Sequence, residues 1–94
     1  MLESKLQSQL IKEAKKNGWI PLKIIRSNIN GIADLILFKQ EKVIFVEVKT
    51  DIGIVSELQK YSKNLFKQQG FEYYLVRSLN EFKDIINNAP KKND

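Results

Sequence analysis

Leu2, Leu6, Leu10, Ile11 and Ala14 recur at helical spacing, so the chain opens with an amphipathic helix over 2–17, stopped by Gly18. Leu22 to Arg26 reads as a first strand preceded by Pro21, and Asn28, Asn30 and Gly31 mark a turn. Asp34–Phe38 and Val43–Lys49 are rich in β-branched and aromatic residues. With only Gln40 and Glu41 as a short connection, they predict a hairpin. Asp51 and Gly53 break that pattern. A second helix follows over Ser56–Gln69 with Gly70 as its stop, then a strand over Glu72–Arg77. Ser78 opens a third helix, with Glu81 placed to complete a capping box and Leu79, Phe82, Ile85 and Ile86 as its apolar face. Residues 1–88 are expected to form one domain and Ala89–Asp94 a flexible basic tail.

The order is α-β-β-β-α-β-α. Strand, helix and strand over 43–77 imply a crossover between parallel strands. The two hairpin strands are apolar on both sides, which predicts a mixed α/β sheet with helices on both faces.

Composition narrows the chemistry. With 94 residues, 43% of them hydrophobic and 29% charged, the chain has the make-up of a globular domain. It has no cysteine, which removes disulfides, thiolate metal sites and thiol catalysis; it has no histidine, which removes the imidazole base and the Ser-His-Asp triad. Carboxylates, lysine, tyrosine or a bound metal must carry any reaction. A net charge of +5 favours a polyanionic partner such as nucleic acid. The opening segment is polar and amphipathic, so no secretory leader is expected, and no apolar run is long enough for a membrane.

A symmetric turn at Gln40-Glu41 sets Phe38 opposite Val43, Ile36 opposite Phe45, and Asp34 opposite Glu47. Lys49 falls on the same face as Glu47. Directly opposed side chains have Cβ atoms about 5 Å apart. Two carboxylates at that separation repel by about 3 kcal/mol at an effective dielectric near 20. Lys49 offsets part of this, and a hard divalent cation offsets more. A plain solvated strand end with an Asp34–Lys49 ion pair is the competing reading.

Three further features each read two ways. Glu3 falls within the apolar stripe of the first helix, where a carboxylate needs a partner or a metal; equally, it sits in the first turn and favours the helix dipole. Gln59 either caps its helix through Ser56-Glu57-Leu58-Gln59 or, at the edge of a Leu58–Leu65–Phe66 stripe, points toward Lys49. Lys60, Lys63 and Lys67 align on one helix face, either as a solvated surface or as a phosphate track.

Gly31-Ile32-Ala33-Asp34, Glu47-Val48-Lys49 and Ser56-Glu57-Leu58-Gln59, in this order after a helical Glu3, resemble the PD-(D/E)XK nucleases. Within them the chain is similar to the VRR-NUC domain family, in its minimal stand-alone, phage-type form. That resemblance implies a three-layer restriction-endonuclease-like fold and an endodeoxyribonuclease dependent on Mg²⁺ or Mn²⁺. It implies that Asp34 and Glu47 ligate the metal with the Val48 carbonyl. Lys49 would orient or help deprotonate the attacking water, Glu3 would assist at the metal directly or through water, and Gln59 would support the site. The family's proline before the aspartate is Ala33 here, which alters backbone rigidity and not the ligand set.

The resemblance further implies a homodimer acting in the cytoplasm of a bacterial or phage-infected cell, on branched DNA such as Holliday junctions. Trp19, Phe71, Tyr73 and Tyr74 are the aromatic candidates for the dimer interface. The alternatives are a nicking or flap/duplex endonuclease without junction preference, and a catalytically silent DNA-binding module.

Overall fold

The computed structural model describes residues 1–50 and 53–88. The expected tail, Ala89–Asp94, lies outside the described residues. The elements run α1 (Glu3–Lys16), β1 (Ile20–Lys23), β2 (Leu35–Lys39), β3 (Lys42–Val48), α2 (Glu57–Gln68), β4 (Glu72–Val76) and α3 (Leu79–Asn88). This is the α-β-β-β-α-β-α order that the hydrophobic pattern predicts. The four strands lie in the order β1-β2-β3-β4. β1 pairs antiparallel with β2, and β2 with β3, while β3 and β4 are parallel and joined through α2.

The hairpin register matches expectation: Phe38 pairs with Val43, Ile36 with Phe45, and Leu35 with Val46. Gln40 and Glu41 take positive φ values of 48° and 67°. Two left-handed residues in a two-residue loop give a type I′ geometry, whose twist suits the flanking strands.

The first strand differs from expectation. It starts at Ile20, not Leu22, and includes Pro21. β1 is an edge strand, so the missing proline N–H costs no ladder bond on its outer side. The pairing then runs past β1, with Ile24 N donating to Asp34 O at 2.9 Å.

α1 and α3 cover one face of the sheet. Leu6, Leu10 and Ala14 of α1 and Phe82 and Ile86 of α3 meet Leu35, Leu37, Ile44, Val46, Val48 and Val76 in the main core. Burying one such large apolar side chain contributes about 1.5–3 kcal/mol. On the other face a smaller cluster gathers Ala33, Phe45 and Tyr73 beneath Phe66 of α2. There Phe45 stacks on Phe66 at 4.5 Å and on Tyr73 at 5.5 Å between ring centroids.

α2 does not bury the stripe expected of it. Its inner side carries Gln59, fully buried Ser62 and Phe66, whereas Leu58, Tyr61 and Leu65 are exposed. α2 lies over β4 and the neighbouring part of β3, which leaves the β1–β2 half of this face open. Alternation puts Ile36 and Phe38 on that face, opposite Leu22 and Ile20. Ile20, Leu22 and Phe38 are accordingly 68%, 48% and 37% exposed. The aromatics first suspected of forming an interface are mostly internal: Trp19 and Tyr73 are buried, Tyr74 packs against the main core, and Phe71 is exposed.

Candidate functional site

Asp34 stands just before β2, and its backbone does not continue the hairpin ladder unchanged. Its N–H donates to Val46 O at 3.1 Å, and its side-chain Oδ2 accepts from Val48 N at 2.7 Å. The carboxylate thus satisfies a β3 amide and is fixed against that strand. Glu47, between those two partners, is only 4% exposed. The carboxyls of Asp34 and Glu47 lie close enough across the strands for each to influence the other's ionisation. Cross-strand opposition therefore survives the local departure from regular pairing.

Burial pushes the Glu47 carboxyl up to about 8, and the negative charge of Asp34 adds to the rise while Lys49 opposes it. Burial also raises Asp34 above the ordinary carboxylate value, partly offset by the hydrogen bond from the Val48 amide. Glu3, at the start of α1, adds a negative charge that raises both, after burial and the mutual influence of the pair. It does not close a ligand cage: among the described residues, no group of three or more acidic, histidine or cysteine side chains is placed to hold a metal. Lys49 follows on the same strand edge, its amide donating to Val76 O at 3.0 Å. Its charge lowers both carboxyls.

Gln59 completes the capping box that its sequence context predicts, and its amide also reaches Glu47 rather than Lys49. Its Oε1 accepts from Ser56 N at 2.9 Å and its own N–H donates to Ser56 Oγ at 3.1 Å, which completes the capping box of α2. Its Nε2 donates to Glu47 Oε2 at 2.5 Å. One amide thus ties the start of α2 to the buried acid. The cap also fixes which end of the amide faces Glu47, because the oxygen is already committed to a donor.

Gly31 makes that approach possible. It has φ +78°, and a Cβ there would lie 2.6 Å from the Leu58 carbonyl carbon and 2.8 Å from Gln59 N. The loop backbone therefore packs directly on the first turn of α2, a contact that only glycine allows. On α2, Lys60 pairs with Glu57 at 3.2 Å in an exposed bridge, Lys67 is exposed, and Lys63 is partly buried.

Tyr73 is a neighbour that the sequence did not single out as part of the site. Its hydroxyl is buried without a well-formed hydrogen bond, and Ser62 and the Ala33 backbone amide are its polar surroundings. Burial, reinforced by Glu47 and Asp34, pushes it up to about 12, which keeps it protonated and unsuited to act as a base near neutral pH. Its position follows from the parallel register Phe45–Tyr73, which depends on how α2 returns the chain and has no local sequence signal.

Glu47 Oε1 tests whether a cation fits. It is buried, and no hydrogen-bond donor of the protein reaches it. Its neighbour is another acceptor, the carboxyl of Asp34. Two such groups require a proton or a cation between them. Hard oxygen donors with a lysine beside them suit Mg²⁺ or Mn²⁺ and exclude soft-ligand metals.

No protein-family model matches the sequence, and no curated protein matches it. A solved structure described as a VRR_NUC domain superposes with a TM-score of 0.82 at 20% identity, covering 94% of this chain and 97% of that one. The chain has the VRR_NUC fold. The match spans all seven elements' worth of chain rather than a shared core fragment, so the sheet order and the helix layers described above are those of the VRR_NUC fold as a whole.

Proposed function

We propose that the protein is a divalent-metal-dependent nuclease that hydrolyses DNA. The observation that carries this reading is the Asp34–Glu47 pair, in which buried Glu47 has one oxygen that no donor satisfies and the other held by Gln59. Asp34, Glu47 and the Val48 carbonyl would hold the cation, and Glu3 would assist from the start of α1. A bound Mg²⁺ or Mn²⁺ supplies electrophilic charge at a phosphodiester and makes water a better nucleophile. Lys49 would orient that water and stabilise the charge developing on the phosphate. Gln59 keeps Glu47 in place, and its capped helix keeps Gln59 in place. The net charge of +5 suits a polyanionic substrate.

The first test is a cleavage panel of duplex, flap, fork and four-way-junction DNA. Cleavage should require Mg²⁺ or Mn²⁺, stop in chelator, and vanish in Asp34→Ala. Equal cleavage by that variant would remove Asp34 from the chemistry. Metal-independent binding with no cleavage of any substrate would support a silent DNA-binding module.

The finer reading is a homodimer acting on branched DNA, and the open half of the sheet supports it. Ile20, Leu22 and Phe38 form an apolar surface beside an edge strand, continuous with the Ile36 and Val43 side of the smaller core. A second copy packed across such a face by two-fold symmetry would bury it and present two sites to two strands. Light scattering at micromolar concentration should give twice the 11.0 kDa chain mass, and Leu22→Glu should give a monomer. A monomeric parent that cuts duplex and junction equally would leave a nicking or flap/duplex endonuclease.

A further inference from the structure

Arg77 occupies the position after β4 and is used by neither the core nor the carboxylate pair. Its Nη1 donates to Thr50 O at 2.7 Å and to Gly53 O at 2.9 Å. Gly53 N in turn donates to Thr50 O at 2.9 Å. Both carbonyls belong to the connection that leaves β3 through Lys49. Gly53 also lies against the stem of that lysine: a Cβ at Gly53 would come within 3.1 Å of Lys49 Cδ and 3.3 Å of Lys49 Cβ.

Arg77 is itself anchored on two sides. The preceding carbonyl, Val76 O, accepts the Lys49 amide. Its own amide donates to Glu81 Oε1 at 2.8 Å, while Glu81 N donates to Ser78 Oγ at 3.1 Å, so the start of α3 fixes the arginine's base. The result is a chain of contacts from α3 through Arg77 and Gly53 to the Lys49 side chain.

We propose that Arg77 is a positioning residue that holds Gly53 against the Lys49 stem and so keeps the Lys49 ammonium directed at the Asp34–Glu47 pair. A lysine side chain, with its long flexible stem, has considerable rotamer freedom to lose. A backbone wall along its Cβ–Cδ segment removes part of that freedom before substrate arrives, and charge-assisted bonds to two carbonyls make the wall firm. The inference rests on the role of Lys49 proposed above, and it explains why a glycine and an arginine far apart in sequence meet beside that lysine.

The test compares the parent with Arg77→Lys, Arg77→Met and Gly53→Ala. It follows amide exchange at Gly53 and Val46, the Lys49 side-chain NMR resonance, and single-turnover DNA cleavage with Mg²⁺. In Arg77→Met, Gly53 exchange should quicken at least ten-fold while Val46, in the sheet centre, is unchanged. The Lys49 resonance should move toward that of a free lysine. Cleavage should fall at least ten-fold at saturating DNA with the half-saturating DNA concentration unchanged, and Arg77→Lys should recover part of the loss. An unmoved Lys49 resonance, even with faster Gly53 exchange, would reduce Arg77 to a loop staple and overturn the inference; equal changes at Gly53 and Val46 would do the same by showing general destabilisation. If the parent cleaves no DNA, the hydrolysis reading fails, and the exchange and resonance measurements still decide the role of Arg77.

Discussion

Glu47→Gln should give a protein that cleaves nothing yet, without metal at pH 8, is more stable than the parent. The glutamine amide keeps the geometry of the acid: its oxygen can accept from Gln59 Nε2, and its NH₂ can donate to Asp34. What disappears is the ionisation of a buried carboxyl. Glu47 is raised from an ordinary value of 4.5 to about 8 in the folded protein. Between those values the folded state binds more protons at this site than the unfolded state, so stability falls as pH rises. The contribution is fully present below about pH 4.5 and lost as pH passes through about 8. Asp34 is raised in the same direction and adds to the slope. The destabilisation removed by the substitution at pH 8 is on the order of 4 kcal/mol, from the rise of Glu47 to about 8 and the rule that one pKa unit corresponds to about 1.4 kcal/mol. Thermal melts across pH 5–8 in chelator should therefore show a declining midpoint for the parent and a much flatter one for the variant. Mg²⁺ should restore the parent most at high pH and leave the variant unmoved. Parallel melting curves for the two proteins would mean that the pair is not strained by its own charge.

Elements whose register is set locally were legible in the sequence; those set by distant packing were not. The hairpin is local: Gln40-Glu41 fixed its turn, and the turn fixed which residues oppose which, so Asp34 and Glu47 could be paired on paper. The capping box at Ser56 was likewise readable, and so was a site-facing Gln59, but its partner there was not. That Gln59 also reaches Glu47 depends on Gly31 letting a loop rest on the first turn of α2, a contact across 28 positions of chain. The apolar stripe of α2 was misassigned because Ser62, a small polar residue, is what allows the helix to sit close to the sheet, and hydrophobicity alone gives a serine no inward preference. Pro21 obscured β1 for a similar reason: a proline argues against a strand unless the strand is known to be an edge, and edges are decided by the whole sheet. The Arg77 clamp joins residues on opposite sides of α2 in the chain and left no local trace.

Lys49→Ala should lower the single-turnover cleavage rate by roughly 10²–10³-fold, the usual consequence of removing one preorganised charge from a transition state. DNA binding should change by only a few-fold, since one lysine of the 16 Lys and Arg residues contributes one phosphate contact at most. A second consequence separates this from simple loss of a surface charge. Lys49 lowers both Asp34 and Glu47, against the burial that raises them. Without it the pair should hold its proton to higher pH, and a divalent cation must then displace a more tightly held proton to bind. The pH at which Mg²⁺ first raises the melting midpoint should move upward in Lys49→Ala, whereas Lys49→Arg, which keeps the charge, should leave it close to the parent. The two readouts have different failures. A normal cleavage rate would make Lys49 only an ion-pair partner of Asp34. A reduced rate with no shift in the onset of metal stabilisation would place the lysine at the substrate and away from the electrostatics of the acids.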